Sequence, residues 1–285
     1  MQKRSSRRGS LRGALVVSSL ALAGLLSVGA SSQAASTLPT LTVAITPTTI
    51  TVAGAEQSGA VNVVTTATGT KEASTTLVLL KPGVTLAEAE ALLASNKASG
   101  DPNTVSKIGS IVFDTEAPKG VSEAQTALVA GTYLALNPEG NKSSKWAHSS
   151  FTVTASAAPA ALPTPAAVVK AIDFNFKGAG TLHEGTTVGF ENEGYVVHMI
   201  LGFPVKSKKT AAQLIKGLKA GKEKGLEKLL VGPPVGFAGP LSTGGYQQET
   251  ITAKPDYYVL VCFMDTQDGR EHSRLGMEKV IKIVK

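Results

Sequence analysis

At 285 residues the chain has room for more than one core, since single domains mostly run to about 100 to 200 residues; two domains are expected. Its formal net charge of +7 does not mark it as a nucleic-acid binder: five basic residues, Lys3, Arg4, Arg7, Arg8 and Arg12, stand in an N-terminal segment without acidic residues, and their removal leaves +2. A single cysteine, Cys262, excludes an internal disulfide and leaves a thiol that is buried and inert, reactive, or bound to a metal.

The first 34 residues read as an export signal: the basic start, an apolar run from Ala14 to Ala30, then small residues with cleavage ends at "VGA" (28–30) and "SQA" (32–34). The run is short, broken by serines and followed by no charged stop, so a cleaved signal is expected rather than an anchor. No cysteine follows it, which argues against a lipoprotein. "SRRGSLR" (6–12) approximates a twin-arginine signal, with serine where phenylalanine is favoured. The protein is therefore expected outside the cytoplasm: periplasmic, at the cell surface or secreted.

Residues 37–155 read as the first all-β domain. Thr- and Val-rich strands are predicted at "TLTVAITPTTITVAG" (40–54) and "AVNVVTTATG" (60–69). A helix follows at "TLAEAEALLASNK" (85–97), where Thr85 and Glu88 form a capping-box pattern. Strands resume at "KIGSIVFD" (107–114), "AQTALVAGTYLALN" (124–137) and "SSFTVTA" (149–155). Residues 156–167, Ala- and Pro-rich and uncharged, are a semi-rigid linker by composition.

The order then returns over 168–285. Strands are predicted at "VVKAIDFNFKG" (168–178), "TTVGFENE" (186–193) and "YVVHMILGF" (195–203), and a helix at "TAAQLIKGLKAG" (210–221). Between Lys206 and Lys228 stand eight lysines against Glu223 and Glu227; a solvated helix face accounts for them, and an electrostatic docking surface is the functional alternative. Without interleaved arginine and aromatic residues the patch does not suggest nucleic acid. The halves align at a common offset of 125 residues, which places "TALVAGTYLAL" (126–136) on "ITAKPDYYVLV" (251–261) and suggests duplication of one β-sandwich with a helical excursion.

In "DYYVLVCF" (256–263) both alternating faces are apolar, the mark of a strand buried between layers, with Cys262 at its end. His272 lies on the connection to the last strand, "MEKVIKIV" (277–284), which opens with Met277. His198 stands among apolar residues; alone it would be a core histidine bonded to backbone. Two imidazoles and one thiolate in a plane, with a weak thioether above it, form the ligand set of a blue-copper electron-transfer site. Under the 125-residue offset, Ala73 stands opposite His198 and Asn137 opposite Cys262, so a metal in the second half has no counterpart in the first.

The second half resembles the cupredoxins. "HEGTTVGFENEGYVVHMI" (183–200) is similar to their turn and strand leading to the first histidine ligand, "YVLVCF" to their cysteine strand and "HSRLGM" (272–277) to their His-x4-Met ending. The resemblance implies two Greek-key, cupredoxin-like β-sandwich domains, the first without ligands. It implies one copper ion, cycling between Cu(I) and Cu(II), held by His198, Cys262 and His272 with Met277 axial. Asn192 falls to the supporting hydrogen bonds, and the surface near His272 to the electron exit. Nine residues separate Cys262 from His272, a segment similarly long to that in the type 1 domain of copper nitrite reductases; in small blue-copper proteins it is usually shorter. Multicopper oxidases carry His-x-His pairs and histidines flanking the cysteine, whereas Cys262 lies between Val261 and Phe263 and only His148 and His183 remain. An electron carrier with an unidentified redox partner is therefore expected rather than an enzyme. The alternative is a non-redox structural or copper-sequestering protein. Met264 is read as ordinary packing.

Overall fold

The computed structural model describes residues 37–285 except 71–72, 99–100, 119, 141 and 223. The export signal and Glu223 lie outside the described residues.

Eight strands build the first half: β1 (Thr40–Ile45), β2 (Ile50–Gly54), β3 (Gly59–Ala67), β4 (Ser74–Leu80), β5 (Gly109–Glu116), β6 (Val121–Leu128), β7 (Gly131–Asn137) and β8 (Ala147–Val153). Helix α1 (Leu86–Ala94) and a 3-10 helix at Pro102–Lys107 fill the excursion between β4 and β5. Nine strands build the second: β9 (Ala167–Ile172), β10 (Asn175–Gly178), β11 (Thr181–His183), β12 (Thr187–Asn192), β13 (His198–Val205), β14 (Val235–Leu241), β15 (Tyr246–Thr250), β16 (Asp256–Val261) and β17 (Glu278–Val284). Here α2 (Lys208–Lys219) occupies the excursion, between β13 and β14.

The architecture is all-β, with two sandwiches side by side. One eight-stranded sheet, β10-β9-β12-β15-β6-β3-β1-β2, runs through both halves. Facing it are β11-β17-β16-β13-β14 in the second half and β5-β4-β7-β8 in the first. The shared sheet is joined where Gln248 on β15 pairs with Gln125 on β6, and their side-chain amides bond at 2.8 Å. On the other layer Ser242 and Ile111 exchange two bonds of 2.9 Å. Residues 156–166 are laid against this frame: Ala160 O accepts from Ala60 N, and Pro163 O from Gln248 Nε2.

Each half has a core between its sheets and a second one under its helix. The α1 capping box forms, with Thr85 Oγ1 accepting from Glu88 N. Helix α2 starts at Lys208, two residues earlier than the expected Thr210, because Ser207 Oγ accepts from Thr210 N and serves as the cap. Its buried Ala211, Leu214 and Leu218 recur at helical spacing, and its lysines face outward. Beneath it lie Val259 and Val261, while Tyr258, Leu260 and Cys262 point into the sandwich. This explains the doubly apolar pattern of β16: one face meets the opposite sheet and the other meets α2.

Several expected elements have different bounds. The stretch 168–178 is two strands with a turn at 173–174, where Phe174 adopts φ 60°. The strand expected from Tyr195 begins only at His198, because Asn192 holds 194–196 in a turn. Strands β4, β11, β14 and β15 were not expected.

Candidate metal centre

Three strand ends converge at one edge of the second sandwich. His198 opens β13, Cys262 directly follows β16, and Leu201 pairs with Val261, so the two ligand candidates lie on adjacent strands. A break in β13–β14 register beside His198 places a bulge at the site, the usual device for re-aiming a side chain. Met199 N donates to Cys262 Sγ at 3.4 Å, fixing the sulfur.

The nine residues after Cys262 do not carry His272 away. His272 N donates to Met264 O at 2.8 Å and Asp265 bridges Glu271, so the intervening residues form a side loop closed at its base. His272 then opens a 3-10 helix, His272–Leu275, that ends on Gly276 at φ 101°. A side chain at Gly276 would be strained in this left-handed conformation. Met277 N donates to His272 O and Met277 O accepts from Cys262 N, so the loop returns to the cysteine strand.

The donor atoms meet. His198 Nδ1 lies 3.7 Å from Cys262 Sγ, His272 Nδ1 lies 3.4 Å from it, and the two Nδ1 atoms are 3.1 Å apart. All three side chains are buried. Bonds of about 2.0 Å to nitrogen and about 2.3 Å to sulfur would set donors around a trigonal ion roughly 3.5 to 3.7 Å apart. The observed triangle needs only a slight opening to match. Met277 is fully buried in the same core cluster as Cys262, and Met264 packs at its margin. His148 and His183 are exposed, bonded to Trp146 O and Lys285 O, and do not join the cluster.

The outer ring nitrogens differ. His198 Nε2 faces Asp173 Oδ1 at 3.2 Å. An ionised carboxylate only accepts, so Nε2 carries the proton and Nδ1 presents its lone pair to the centre. Asp173 is held in turn by Tyr195 N at 2.9 Å. Gly194 is required by close approach: a Cβ there would stand 2.5 Å from His198 Nε2 and 2.6 Å from Asp173 Oδ1. Asn192, buried, ties this turn with bonds to Val196 O, Leu241 O and Gly194 N. His272 Nε2, by contrast, is buried without a hydrogen-bond partner, and the Phe174 ring packs edge-on against the imidazole at 5.0 Å. The His272 ring thus lies buried beneath the Phe174 ring.

Burial sets the protonation of the metal-free cluster. It pushes the Cys262 thiol up to about 12, overriding the bond from Met199 N. It also lowers His272 to about 4, with the neighbouring His198 adding to the effect, and lowers His198 against the opposing pull of Asp173. The cluster is therefore a neutral thiol with two neutral imidazoles. A soft sulfur and two imidazoles are the donor set that suits copper, and their donor atoms lie within 4.8 Å of one another.

Asp173 and Gly194 had escaped sequence reasoning. Asp173 lies 25 residues before His198 inside a predicted strand, and no spacing rule links the two. The only signal was the polar residue interrupting the alternation of "VVKAIDFNF".

No protein-family model matches the sequence, and no curated protein matches it. Solved structures do match. Reduced auracyanin from Roseiflexus castenholzii is 18% identical, covering 41% of this chain and 95% of that one at a TM-score of 0.26. Auracyanin A from Chloroflexus aurantiacus, a blue copper protein, is 17% identical, covering 41% and 96% at 0.25. A copper-containing nitrite reductase from Thermus scotoductus is 12% identical, covering 86% and 68% at 0.24. In its own architecture the second half resembles the cupredoxins: a two-sheet sandwich with a histidine opening one strand, a cysteine ending its neighbour, and a second histidine and a methionine on the loop that leaves the cysteine.

Proposed function

We propose that the protein is an exported one-electron carrier whose second half would hold one copper ion through His198, Cys262 and His272, with Met277 as a fourth ligand. The supporting observation is the convergence of three buried donor atoms from segments separated by 64 and 10 residues. A bound copper would supply the Cu(I)/Cu(II) couple. The chain supplies the rest: Asp173 fixes the His198 tautomer, Met199 N holds the sulfur, and strand ends on a packed sandwich keep the donors from rearranging. A frame that moves little between oxidation states keeps electron exchange fast.

The partner that fits is an acidic redox protein. Lys206, Lys208, Lys209, Lys216, Lys219, Lys222, Lys224 and Lys228 are all exposed, and α2 packs against the 3-10 helix that begins with His272. Reversing charges there should weaken salt-sensitive partner binding and leave the copper spectrum unchanged. Delivery across the membrane is assigned to the first 34 residues; no described helix is long and apolar enough to span one. We do not assign an enzymatic reaction to the chain.

A copper-sequestering role is the second reading, favoured by the complete burial of His272 under Phe174. Titration with Cu(II) tests both. An intense visible thiolate-to-copper band that disappears in Cys262→Ala supports the centre. A colourless protein, or equal uptake by Cys262→Ala, contradicts it. A coloured protein that small redox proteins neither reduce nor reoxidise at a useful rate favours sequestration.

A further inference from the structure

We infer that the first half takes part in the metal centre through one residue, Asn103, which positions the two segments that carry the ligands; the inference rests on the metal reading proposed above. Asn103 belongs to the Pro102–Lys107 3-10 helix, in the excursion between β4 and β5. Its side-chain amide crosses to the other half and makes two bonds there. Oδ1 accepts from Val197 N at 3.0 Å, one residue before His198, and Nδ2 donates to Asp265 O at 3.1 Å, three residues after Cys262. One amide thus joins the backbone beside the first histidine to the backbone of the loop that leaves the cysteine.

The orientation of the amide is fixed by chemistry. A backbone N–H can only donate, so the atom facing Val197 must be the oxygen. The nitrogen then faces two acceptors, Asp265 O and Asp101 Oδ1, the latter at 2.9 Å. Asp101 also caps the 3-10 helix by accepting from Asn103 N at 2.9 Å, which holds the residue by its backbone as well as its side chain. Behind it, Val105 and Ile108 are buried with Ala89 and Leu93 of α1, so the arm is anchored in the first half's own core.

This gives the first half a role that its missing ligands leave open. The side loop between Cys262 and His272 is long, and its base is closed only by its own residues, by His272 N on Met264 O, Thr266 N on Arg270 O and the Asp265–Glu271 bridge. Asn103 supplies a tie from outside the loop, from the first half, at the residue where the loop departs. Groups bonded to metal-ligating side chains commonly change the affinity by about 10- to 100-fold when removed; Asn103 acts one step further out, on the backbone beside His198, so the lower end of that range is expected.

The test compares the full chain with Asn103→Ala, Asn103→Asp and, as a control, Lys107→Ala, which alters an exposed residue on the same 3-10 helix. Amide exchange on the metal-free protein reads the clamp itself: Val197 N–H should lose protection in Asn103→Ala and keep it in Asn103→Asp, which retains an acceptor. On the copper-loaded protein, Asn103→Ala should release the metal about tenfold faster or more and broaden the visible band. Lys107→Ala should match the wild type in both. If Asn103→Ala loses the Val197 protection yet keeps the band and the release rate within about twofold, the positioning role is overturned. If Asn103→Ala fails to fold, Asn103→Asp decides, because it lacks the donor to Asp265 O: wild-type copper retention in that variant also overturns the role. A wild-type chain that takes up no copper overturns the metal reading, and the positioning role with it; the exchange data would then still show whether the two halves are tied.

Discussion

The two halves are built on one frame and differ at the few positions where the second would hold a metal. Tyr133 and Tyr258 stand 125 residues apart, and each places its hydroxyl on the carbonyl oxygen four residues upstream, Val129 O at 2.9 Å and Lys254 O at 3.0 Å. The same offset relates Ser74 to Met199 and Asn137 to Cys262. In the first half Ser74 N donates to Asn137 Oδ1 at 3.0 Å; in the second Met199 N donates to Cys262 Sγ at 3.4 Å. The buried N–H is a property of the frame, and the residue that receives it determines whether a thiolate is available. Ala73 occupies the place of His198, and Ser143, buried and bonded to Leu93 O, opens the 3-10 helix where His272 opens its counterpart. A metal centre of this kind is a small set of donors placed at strand ends that the sandwich already holds.

The comparison breaks most severely if the cysteine is given its first-half identity. Cys262→Asn should abolish the visible copper band, yet remain more stable than Cys262→Ala, because asparagine can still accept from Met199 N whereas alanine leaves that buried N–H unpaired at about 1–3 kcal/mol. Copper titration and thermal melts read the two parts. Next, Leu93 on the buried face of α1 and Leu214 on the buried face of α2 play matching roles, so Leu93→Ala and Leu214→Ala should each cost about 2–5 kcal/mol in denaturant unfolding. A loss confined to one of them would show that the frames are not equivalent.

The seam has a pH dependence of its own. Asp114 on β5 is fully buried against β14 and β15, where its backbone N–H is held by Gln247 Oε1. Burial, opposed by the bond from Thr76 and reinforced by Glu116 and Glu139, pushes its carboxyl up to about 8. A raised carboxyl favours the folded state while it is protonated. Its contribution is therefore full below about pH 4 and is lost as pH rises towards 8. The metal-free chain should lose stability across that range, and Asp114→Asn should flatten the slope in melts at a series of pH values.

Smaller effects belong to the supports around His198. Asp173→Asn and Gly194→Ala should each weaken copper retention by about 10- to 100-fold without a comparable loss of fold, read by competition with a chelator. The smallest effect tests the frame again: Tyr258→Phe should cost about 1 kcal/mol for its lost bond to Lys254 O, and Tyr133→Phe somewhat more, because its hydroxyl also accepts from Val129 N at 3.1 Å.

Much of this was legible in the sequence, for identifiable reasons. The apolar faces of β16, the Thr85–Glu88 cap and the 125-residue offset all follow from local periodicity or turn chemistry. The three donors were also legible, because Cys, His and Met are rare in this chain and cluster at strand ends. Strands β14 and β15 were not. "VGFAGPL" carries glycine and proline, which discourage a strand reading, and "YQQET" buries two glutamines whose hydrogen bonds lie across the seam, at Asp114 N, Gln125 and Pro163. Asp173, Gly194 and Asn103 were invisible for a related reason: each acts on a residue that only the fold brings near. Whether the nine-residue loop returns His272 to the sulfur also depended on tertiary ties, from Met264 O to His272 N and from Asp265 to Glu271.

Copper-edge X-ray absorption on the loaded chain tests the central claim most directly. The account predicts one sulfur at about 2.3 Å or less and two nitrogens near about 2.0 Å, with the sulfur shell absent in Cys262→Ala. A first shell of nitrogen and oxygen alone, unchanged in that variant, would contradict it.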